Sequence, residues 1–134
     1  MIVRTLEEIQ GSERDVRGDV WRSRRMLLRS DGMGFSLHDT VITEGTEQTL
    51  EYKHHFEANY CIAGEGEVVV VATGKTYPIK PGTLYALDKN DRHILRATKG
   101  DLRLVCVFYP PLTGTEVHRP DGSYAPAEEL DTKA

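Results

Sequence analysis

The sequence predicts an all-β, single-domain fold: a barrel of antiparallel strands arranged as a double-sheet jelly roll. Short apolar runs rich in β-branched residues recur between residues 21 and 108, and a turn signal follows about every ten residues. No segment with helical periodicity is longer than two turns. Evenly spaced short strands are typical of barrels and sandwiches. A chain of 134 residues is long enough for one domain with a sizeable core.

Local patterns predict each element in turn. Residues 4–10 predict a short helical turn, because Thr5 is a good N-cap and Glu8 follows three residues later. Strands are predicted at 21–29, 35–42, 50–53, 57–63, 66–72, 76–79, 84–87, 93–98 and 102–108, with turns at Asp31-Gly32, Glu44-Gly45, Thr73-Gly74, Pro81-Gly82 and Lys99-Gly100. The run Gly64-Glu65-Gly66 precedes a strand rather than a helix, so it is interpreted as a hairpin corner and not as a phosphate cradle.

The C-terminal region changes character after Pro110-Pro111, which end the last strand because proline cannot donate to a β-ladder. Residues 110–126 are polar and rich in turn residues, and they carry Glu116 and His118 two positions apart. A flexible flap over the barrel mouth is therefore predicted, with a plain surface loop as the alternative. The predicted domain spans 1–126, and 127–134 are expected to form a disordered tail.

Composition excludes several classes of function. The net charge of −4 and the absence of a Lys/Arg block argue against nucleic acid or an anionic membrane as a partner. No apolar stretch approaches the ~20 residues of a membrane span, and the N-terminus lacks the features of a signal peptide. Cys61 and Cys106 both lie in apolar runs and form no disulfide framework, which predicts a cytoplasmic protein.

Two spaced motifs resemble those of the cupin family. Gly45, Glu57 and Gly64 fit the first cupin motif, although Glu51 and Lys53 occupy the positions of its usual histidine pair. Gly82 and His93, eleven residues apart, fit the second motif. The resemblance implies a cupin barrel in which half of the usual metal ligands are missing.

Glu57, His93 and Tyr85 together make a three-point nitrogen and oxygen site suited to a divalent first-row metal. Three protein ligands leave coordination positions open, as catalytic metal sites do. Two of these residues also have a structural interpretation: Glu57 as a surface carboxylate and Tyr85 as a tyrosine that caps the core. A phenol with an ordinary pKa near 10 ligates only when a cation lowers that pKa.

Strand alternation sorts the residues around Glu57. His55 shares the face of Glu57 and is placed inward, whereas His54 is expected at the surface. If both Tyr52 and Glu57 face the pocket, a bulge or turn must lie between them. A nucleophilic thiol at Cys106, paired with His118 or His93, is a weaker alternative, since small buried cysteines are common.

The chain as a whole resembles the ectoine synthase family of cupins. The likeness rests on Tyr52-Lys53-His54-His55-Phe56-Glu57-Ala58, Tyr60-Cys61-Ile62, Gly64-Glu65-Gly66-Glu67-Val68, Pro78-Ile79-Lys80-Pro81-Gly82 and Leu112-Thr113-Gly114-Thr115-Glu116-Val117-His118-Arg119. It implies dehydrative cyclisation of N-γ-acetyl-L-2,4-diaminobutyrate to the compatible solute L-ectoine, with Fe(II) or another divalent transition metal, in a homodimer. His38 stands where a smaller polar residue is expected in relatives.

The same resemblance implies roles for individual residues. The metal ligands are expected to be Glu57, Tyr85 and His93, the catalytic residues Tyr52, Glu116 and His118, and the substrate-binding residues Trp21, Arg25, Thr40, Tyr52, His55, Cys106, Phe108, Glu116 and His118. Two alternatives remain open on the residues themselves. The barrel could bind a small zwitterion without catalysis, or it could be a cupin dioxygenase, which usually needs more imidazoles than this chain offers.

Overall fold

The computed structural model describes residues 1–126 and builds them from one helix and eight strands. The elements are α1 (Leu6–Ile9), β1 (Asp15–Arg17), β2 (Trp21–Leu27), β3 (Ser36–Ile42), β4 (Glu47–Leu50), β5 (Phe56–Val70), β6 (Lys75–Ile79), β7 (Leu84–Leu87) and β8 (His93–Tyr109), with a 3-10 turn at Arg29–Asp31. Within these residues no helix has the length and hydropathy needed to cross a membrane.

All strand pairs are antiparallel, which confirms the predicted all-β jelly roll. The strands β5 and β8 pair with each other along almost their whole lengths and are shared by two sheets. One sheet has the order β1-β2-β3-β8-β5-β7 and uses the second half of β8 and the first half of β5. The other sheet has the order β4-β8-β5-β6 and uses their remaining halves.

The helical turn forms where the sequence predicts it. The Thr5 hydroxyl accepts a hydrogen bond from the Glu8 backbone N–H at 3.2 Å, and the Glu8 carboxylate accepts one from the Thr5 N–H at 3.3 Å. This reciprocal capping satisfies two N–H groups that a helix of four residues would otherwise leave open. Ile9 is buried and packs the helix onto the barrel.

The predicted hairpin corner at Gly64-Glu65-Gly66 is wrong, and so is the predicted turn at Lys99-Gly100. Both strands continue through these points with bulges in their pairing, and the ribbon bends there from one sheet into the other. A Cβ at Gly64 would collide with the backbone of Asp101, and one at Gly66 with the backbone of Arg96. The glycines are needed for close approach of the partner strand rather than for a reversal of the chain.

The predicted strand 50–53 lies instead at β4, and the chain leaves the ladder between Glu51 and His55. This break confirms the prediction that a turn must separate Tyr52 from Glu57. The Asn90 side-chain amide donates to the carbonyls of Tyr52 at 2.8 Å and His55 at 3.0 Å. It therefore satisfies backbone groups that the sheet does not pair.

The C-terminal flap packs onto the open end of the barrel and buries Leu112 and Tyr124. Leu112 is fixed to the barrel by a bond from its N–H to the Ser36 hydroxyl at 3.0 Å and from the Arg29 N–H to its carbonyl at 2.8 Å. The segment is thus packed against the barrel, while its role as a mobile flap over the mouth stays a prediction. The predicted tail at 127–134 lies outside the described residues.

Candidate functional site

A small cavity of about 30 Å³ lies inside the barrel beneath the flap. Its lining includes eight of the side chains predicted for the site, namely Trp21, Thr40, Tyr52, Glu57, Tyr85, Cys106, Phe108 and His118. These residues come from five different strands, the segment after β4 and the flap, so only the folded barrel brings them together. The remaining predicted residues, Arg25, His55, His93 and Glu116, lie around this lining rather than in it.

Glu57 faces the interior from β5 and is 7% exposed. Its Oε1 accepts a hydrogen bond from the Asn59 side-chain amide at 2.9 Å, and Asn59 shares its face of the strand. Burial raises the pKa of the Glu57 carboxyl to about 8, and the bond from Asn59 opposes the shift only in part. A carboxylate in this position is therefore charged at neutral pH only when a cation is close to it.

His93, the first residue of β8, is completely buried. Its Nδ1 lies 2.9 Å from the Asp91 carbonyl, which can only accept, so Nδ1 carries the proton. The other ring nitrogen, Nε2, is buried and has no hydrogen-bond partner within residues 1–126. Burial also lowers the pKa of His93. A neutral imidazole held through Nδ1 by a carbonyl, with a free lone pair on Nε2, is the arrangement of metal-binding histidines.

Tyr85 lies on β7 and reaches the cavity from a half-buried position opposite Asn59. Burial raises the pKa of its phenol well above 10, and the charge of Glu57 adds to the shift. The His93 ring lies 6.2 Å from the ring of Tyr52, which lines the same cavity as Glu57 and Tyr85.

Within residues 1–126 no group of three or more His, Cys, Asp or Glu side chains is arranged to hold a metal. The predicted ligand set contains only two such residues and depends on the phenol of Tyr85 for its third donor. The buried, unpartnered Nε2 of His93 and the buried carboxyl of Glu57 both gain from a cation between them. The donor set therefore fits a divalent metal chemically.

Tyr52 and His118 form a direct pair in the cavity, with 2.7 Å between the Tyr52 hydroxyl and the His118 Nε2. Burial and then the positive charge of Arg25 lower the pKa of His118 to about 4. Burial raises the pKa of Tyr52 well above 10. Both groups are therefore neutral at pH 7, and the phenol donates to the imidazole. Tyr124 stacks on the His118 ring at 4.5 Å and fixes its plane.

Arg25 is completely buried, and its guanidinium is engaged by the flap. One terminal nitrogen donates to the Gly114 carbonyl at 2.8 Å, the other to the Glu116 carbonyl at 2.7 Å, and Nε donates to the Ser23 hydroxyl at 3.2 Å. In this arrangement Arg25 ties the flap to β2. Its predicted contact with a substrate carboxylate stays a prediction.

The carboxylate of Glu116 is turned into its own loop. It accepts hydrogen bonds from the Thr113 N–H at 2.7 Å, the Thr113 hydroxyl at 3.0 Å and the Gly114 N–H at 2.7 Å. His55 is buried edge-on against the rings of Phe108 and Tyr124. His55 thus packs against the lining residues Phe108 and Tyr124, and Glu116 fixes the shape of its own loop. Direct action of either residue on a substrate stays a prediction.

Cys106 lines the cavity as predicted, and burial raises the pKa of its thiol well above its usual value. The thiolate, which is the nucleophilic form, is therefore disfavoured. The weaker alternative of a cysteine nucleophile has no support in this environment.

Comparison with known proteins assigns the family. The family model described as ectoine synthase matches residues 1–128 of the chain. The chain belongs to the ectoine synthase family. An L-ectoine synthase of Desulfatibacillum aliphaticivorans is 60% identical over 126 residues, covering 92% of this chain and 96% of that protein.

The fold agrees with solved structures. The crystal structure of the ectoine synthase from P. lautus matches with a TM-score of 0.82 and 58% identity, covering 85% of this chain and 81% of that one. The cupin domain of Schizosaccharomyces pombe Cnp3 has a TM-score of 0.57 at 16% identity, over 67% of this chain and 64% of that one. The second likeness shows the fold alone, and it agrees with the cupin resemblance of the sequence.

Eight lining residues of this ectoine synthase family member were not predicted: the apolar Ile42, Leu50, Leu95 and Leu104, and the polar Ser23, Gln48, Asn59 and Tyr124. Alternation could have found Asn59, which lies two residues after Glu57 on the same strand face. Tyr124 gives no such signal, because it lies in the irregular flap. His38, the unusual residue, is buried behind the cavity, with its ring nitrogens 3.2 Å from the Ser23 hydroxyl and 2.9 Å from the Ser36 hydroxyl.

Proposed function

We propose that this chain is an L-ectoine synthase, a carbon–oxygen hydro-lyase that cyclises N-γ-acetyl-L-2,4-diaminobutyrate to L-ectoine and releases water. One observation carries the proposal: a barrel cavity is lined by Glu57, Tyr85 and the neutral Tyr52–His118 pair, with the unpartnered Nε2 of His93 buried next to Tyr52, in a chain of the ectoine synthase family. A dehydration benefits from a cavity of about 30 Å³ that excludes bulk water.

The proposed metal is Fe(II), with another divalent transition metal as the second choice. Glu57, Tyr85 and His93 would hold it, as their donor types and the unpartnered Nε2 of His93 support. When bound, such an ion polarises an amide carbonyl and stabilises negative charge on its oxygen. All other steps of the proposal use the side chains of the chain itself.

The reaction joins two ends of one molecule. The α-amine nitrogen bonds to the acetamide carbonyl carbon, and the carbonyl oxygen leaves as water with the two protons that the amine gives up. Holding the chain curled makes this step intramolecular, and such reactions reach effective molarities of ~10⁵–10⁸ M. The rings of Trp21, Phe108 and Tyr124 on the lining favour this curled form and exclude solvent.

Proton transfer is assigned to Tyr52 and His118. His118 is neutral because its pKa is about 4, and its Nε2 can accept the proton of the Tyr52 hydroxyl 2.7 Å away. As that proton moves, the Tyr52 oxygen takes a proton from the amine nitrogen, and the reverse transfer from His118 through Tyr52 delivers a proton to the departing oxygen. Each of the two protons follows this route once, so the pair ends the reaction in its starting state.

The other predicted residues take supporting roles in the proposal. Arg25 and Glu116 hold the flap in place, while Thr40 and Cys106 shape the cavity wall. Direct substrate contacts of Arg25, His55 and Glu116 would require the flap to move, since none of the three lines the cavity.

We also propose that the protein acts as a cytoplasmic homodimer. Phe56, Tyr60, Leu84 and Tyr109 are 48% to 63% exposed on adjacent strands β5, β7 and β8, next to a groove lined by Ala58, Ala86 and Val107. A second copy of this outward face would cover such an apolar patch. Leu84→Glu is expected to yield monomers in sedimentation equilibrium. The two cysteines are free and buried, which suits a reducing compartment.

The deciding experiment is incubation of purified protein with the acetylated diamino acid, with added Fe(II) or with a chelator, followed by chromatography for ectoine. Ectoine formation that depends on the metal supports the proposal. Tight binding of ectoine with no formation in any condition would instead make the barrel a binding protein without catalysis.

A further inference from the structure

Gln48 is a cavity residue with an unused hydrogen-bond donor. On β4 the side chains of Glu47 and Thr49 point outward, whereas those of Gln48 and Leu50 point inward. The side-chain nitrogen Nε2 of Gln48 is buried and has no hydrogen-bond partner within residues 1–126. A buried amide donor without a partner destabilises the folded state, and folded proteins keep few of them. Such a group needs an explanation, and a bound ligand is one.

The location of Gln48 indicates which part of a ligand it would meet. Gln48, Trp21, Leu50 and His118 line both the inner cavity and an outer depression of about 440 Å³. They therefore form the wall between the cavity and the outside. A group bound at Gln48 would lie at the outer end of the cavity.

Strand register relates Gln48 to the opposite end of the site. Gln48 pairs with Leu95 on β8, and Leu50 pairs with His93. Gln48 and His93 are thus diagonal neighbours on the inner face of one sheet, about 7–8 Å apart for this type of pair. A small molecule with two polar ends can reach both residues at once.

The competing donor is already engaged. Arg25 is buried, and its guanidinium donates to the carbonyls of Gly114 and Glu116 and to the hydroxyl of Ser23, which lines the cavity. Gln48 itself lines the cavity, and its side-chain nitrogen has no partner among the residues that the structure describes. It is neutral, so it can receive a carboxylate without adding a buried charge of its own.

We propose that Gln48 is a substrate-binding residue whose Nε2 donates to the α-carboxylate of the bound amino acid. The inference rests on the proposed function and deepens it. The acetamide end then lies toward Glu57 and His93, and the carboxylate lies at the outer wall. Gln48 holds the carboxylate equally in the ground state and during cyclisation, because this group takes no part in the reaction.

The test uses Gln48→Met and Gln48→Glu in the full-length, metal-loaded protein. Gln10→Met is the matched control, because it makes the same change at an exposed glutamine. For Gln48→Met we expect KM to rise roughly ten- to hundred-fold with little change in kcat, as loss of a hydrogen bond to a charged group predicts. Gln48→Glu should raise KM further, because it places a negative charge against the carboxylate. The control should behave as wild type.

Two further measurements separate binding from a structural role. Calorimetry with L-ectoine, which keeps the carboxylate, should show the same loss of affinity in Gln48→Met. N-acetyl-1,3-diaminopropane, which lacks the carboxylate, should bind wild type and Gln48→Met equally. The melting temperature of the ligand-free variant should stay the same or rise, because an unsatisfied buried amide has been removed.

The inference is overturned if wild type makes ectoine while Gln48→Met keeps its KM and its affinity for ectoine. It is also overturned if the analogue without a carboxylate loses affinity as strongly as the substrate does. Failure of wild type to make ectoine under any metal condition counts against the proposed function instead, and calorimetry with ectoine still tests Gln48 in that case.

Discussion

At the scale of single residues, burial sets the chemistry of the cavity. It keeps His93 and His118 neutral and raises the pKa of Glu57 to about 8. These shifts follow from removing each ionisable group from water. They prepare one region to receive a cation and another to accept a proton, with Tyr52 between the two.

The first prediction concerns the proposed metal ligands on β5 and β8. Glu57→Gln and His93→Gln should each lose most of the bound iron and most activity, while circular dichroism shows an intact barrel. His54→Gln is the control, because His54 is an exposed neighbour in the same segment. Iron is measured by atomic absorption after purification. Full iron content in either ligand variant would place the metal elsewhere.

The second prediction concerns Tyr85. Tyr85→Phe removes one oxygen and almost no volume, so the packing of β7 should survive. If the phenol is a ligand, iron affinity should fall at least about ten-fold, as losses around metal sites commonly do. Tyr77→Phe, at a tyrosine that is 43% exposed, should leave iron affinity unchanged. A phenol that merely caps the core would cost about 0.5–1.5 kcal/mol of stability and no iron.

Much of this site was accessible from the sequence because it lies on strands. Glu57 and His93 stand at the cupin spacings from Gly45, Gly64 and Gly82, and alternation assigned His55 inward and His54 outward, as the structure has them. Gln48 and Tyr124 were missed for different reasons. Gln48 lies on a strand that was predicted a few residues too late, and Tyr124 reaches the cavity through irregular backbone that no periodicity describes.

At the scale of elements, the bend in β5 distinguishes two uses of glycine. Gly64 combines a positive φ of 77° with close backbone contact, whereas Gly74 has a φ of 71° with no atom near its missing side chain. A sequence shows both as glycines beside strands. Only the register of β5 against β8 separates a bulge from a turn, and register depends on the partner strand.

A third prediction follows from this contrast. Gly74→Ala should lower the free energy of unfolding by about 1–2 kcal/mol, which is the penalty for a residue with a side chain in left-handed backbone. Gly64→Ala should cost clearly more, because its Cβ also collides with the Asp101 backbone. Urea denaturation of both variants measures the difference. If both variants lose the same free energy of unfolding, β8 can move away from β5 to accommodate the new side chain without destabilising the fold.

The β1–β2 ribbon provides the fourth prediction. Arg22 donates to the Asp15 carboxylate at 2.8 Å, and this bond, together with the Gly11 N–H, lowers the pKa of Asp15 to about 2. An unfolded aspartate has a pKa of about 3.9, so the stabilisation is complete above pH 4 and lost as the pH falls toward 2. Asp15→Asn should therefore have a lower free energy of unfolding than wild type at pH 6, and the difference between the two proteins should become smaller toward pH 2.

The control for the ribbon is Asp19→Asn, which changes an exposed carboxylate close by. It should be about as stable as wild type at pH 6. Denaturation by urea at pH 6 and at pH 2.5 supplies both comparisons. If the difference in free energy of unfolding between wild type and Asp15→Asn is the same at both pH values, Asp15 stabilises the protein through packing rather than through its charge.

At the scale of the whole molecule, the closed flap limits access to the site. A cavity of about 30 Å³ holds about one water molecule, whereas the proposed substrate is many times larger. Arg25 holds the flap at two carbonyls, and Tyr124 stacks on His118 and lies against Tyr52. Opening must therefore break contacts between the flap and β2 before substrate enters.

The fifth prediction tests whether the barrel binds the metal without the flap while catalysis needs the flap. A chain that ends after Leu112 keeps every strand and all proposed metal ligands, so it should fold and bind iron. Its melting temperature should fall, because Arg25 loses two acceptors, and ectoine formation should be nearly abolished because His118 is gone. Removal of 127–134 alone is the control and should preserve activity. Parallel loss of iron and activity in the shorter chain would show that the flap belongs to the metal site.

The paired strands β5 and β8 have a consequence for how the site forms. Glu57 pairs with Phe108 near one end of this ribbon, and His93 pairs with Val70 at the other end. They face one interior because the ribbon bends near Gly64 from one sheet into the other. The proposed metal would bind residues from both ends of the bent β5–β8 ribbon and so hold these ends at a fixed distance. The affinity for the metal should then depend on the angle of this bend. A substitution at the bend should weaken metal binding even though it changes no metal ligand.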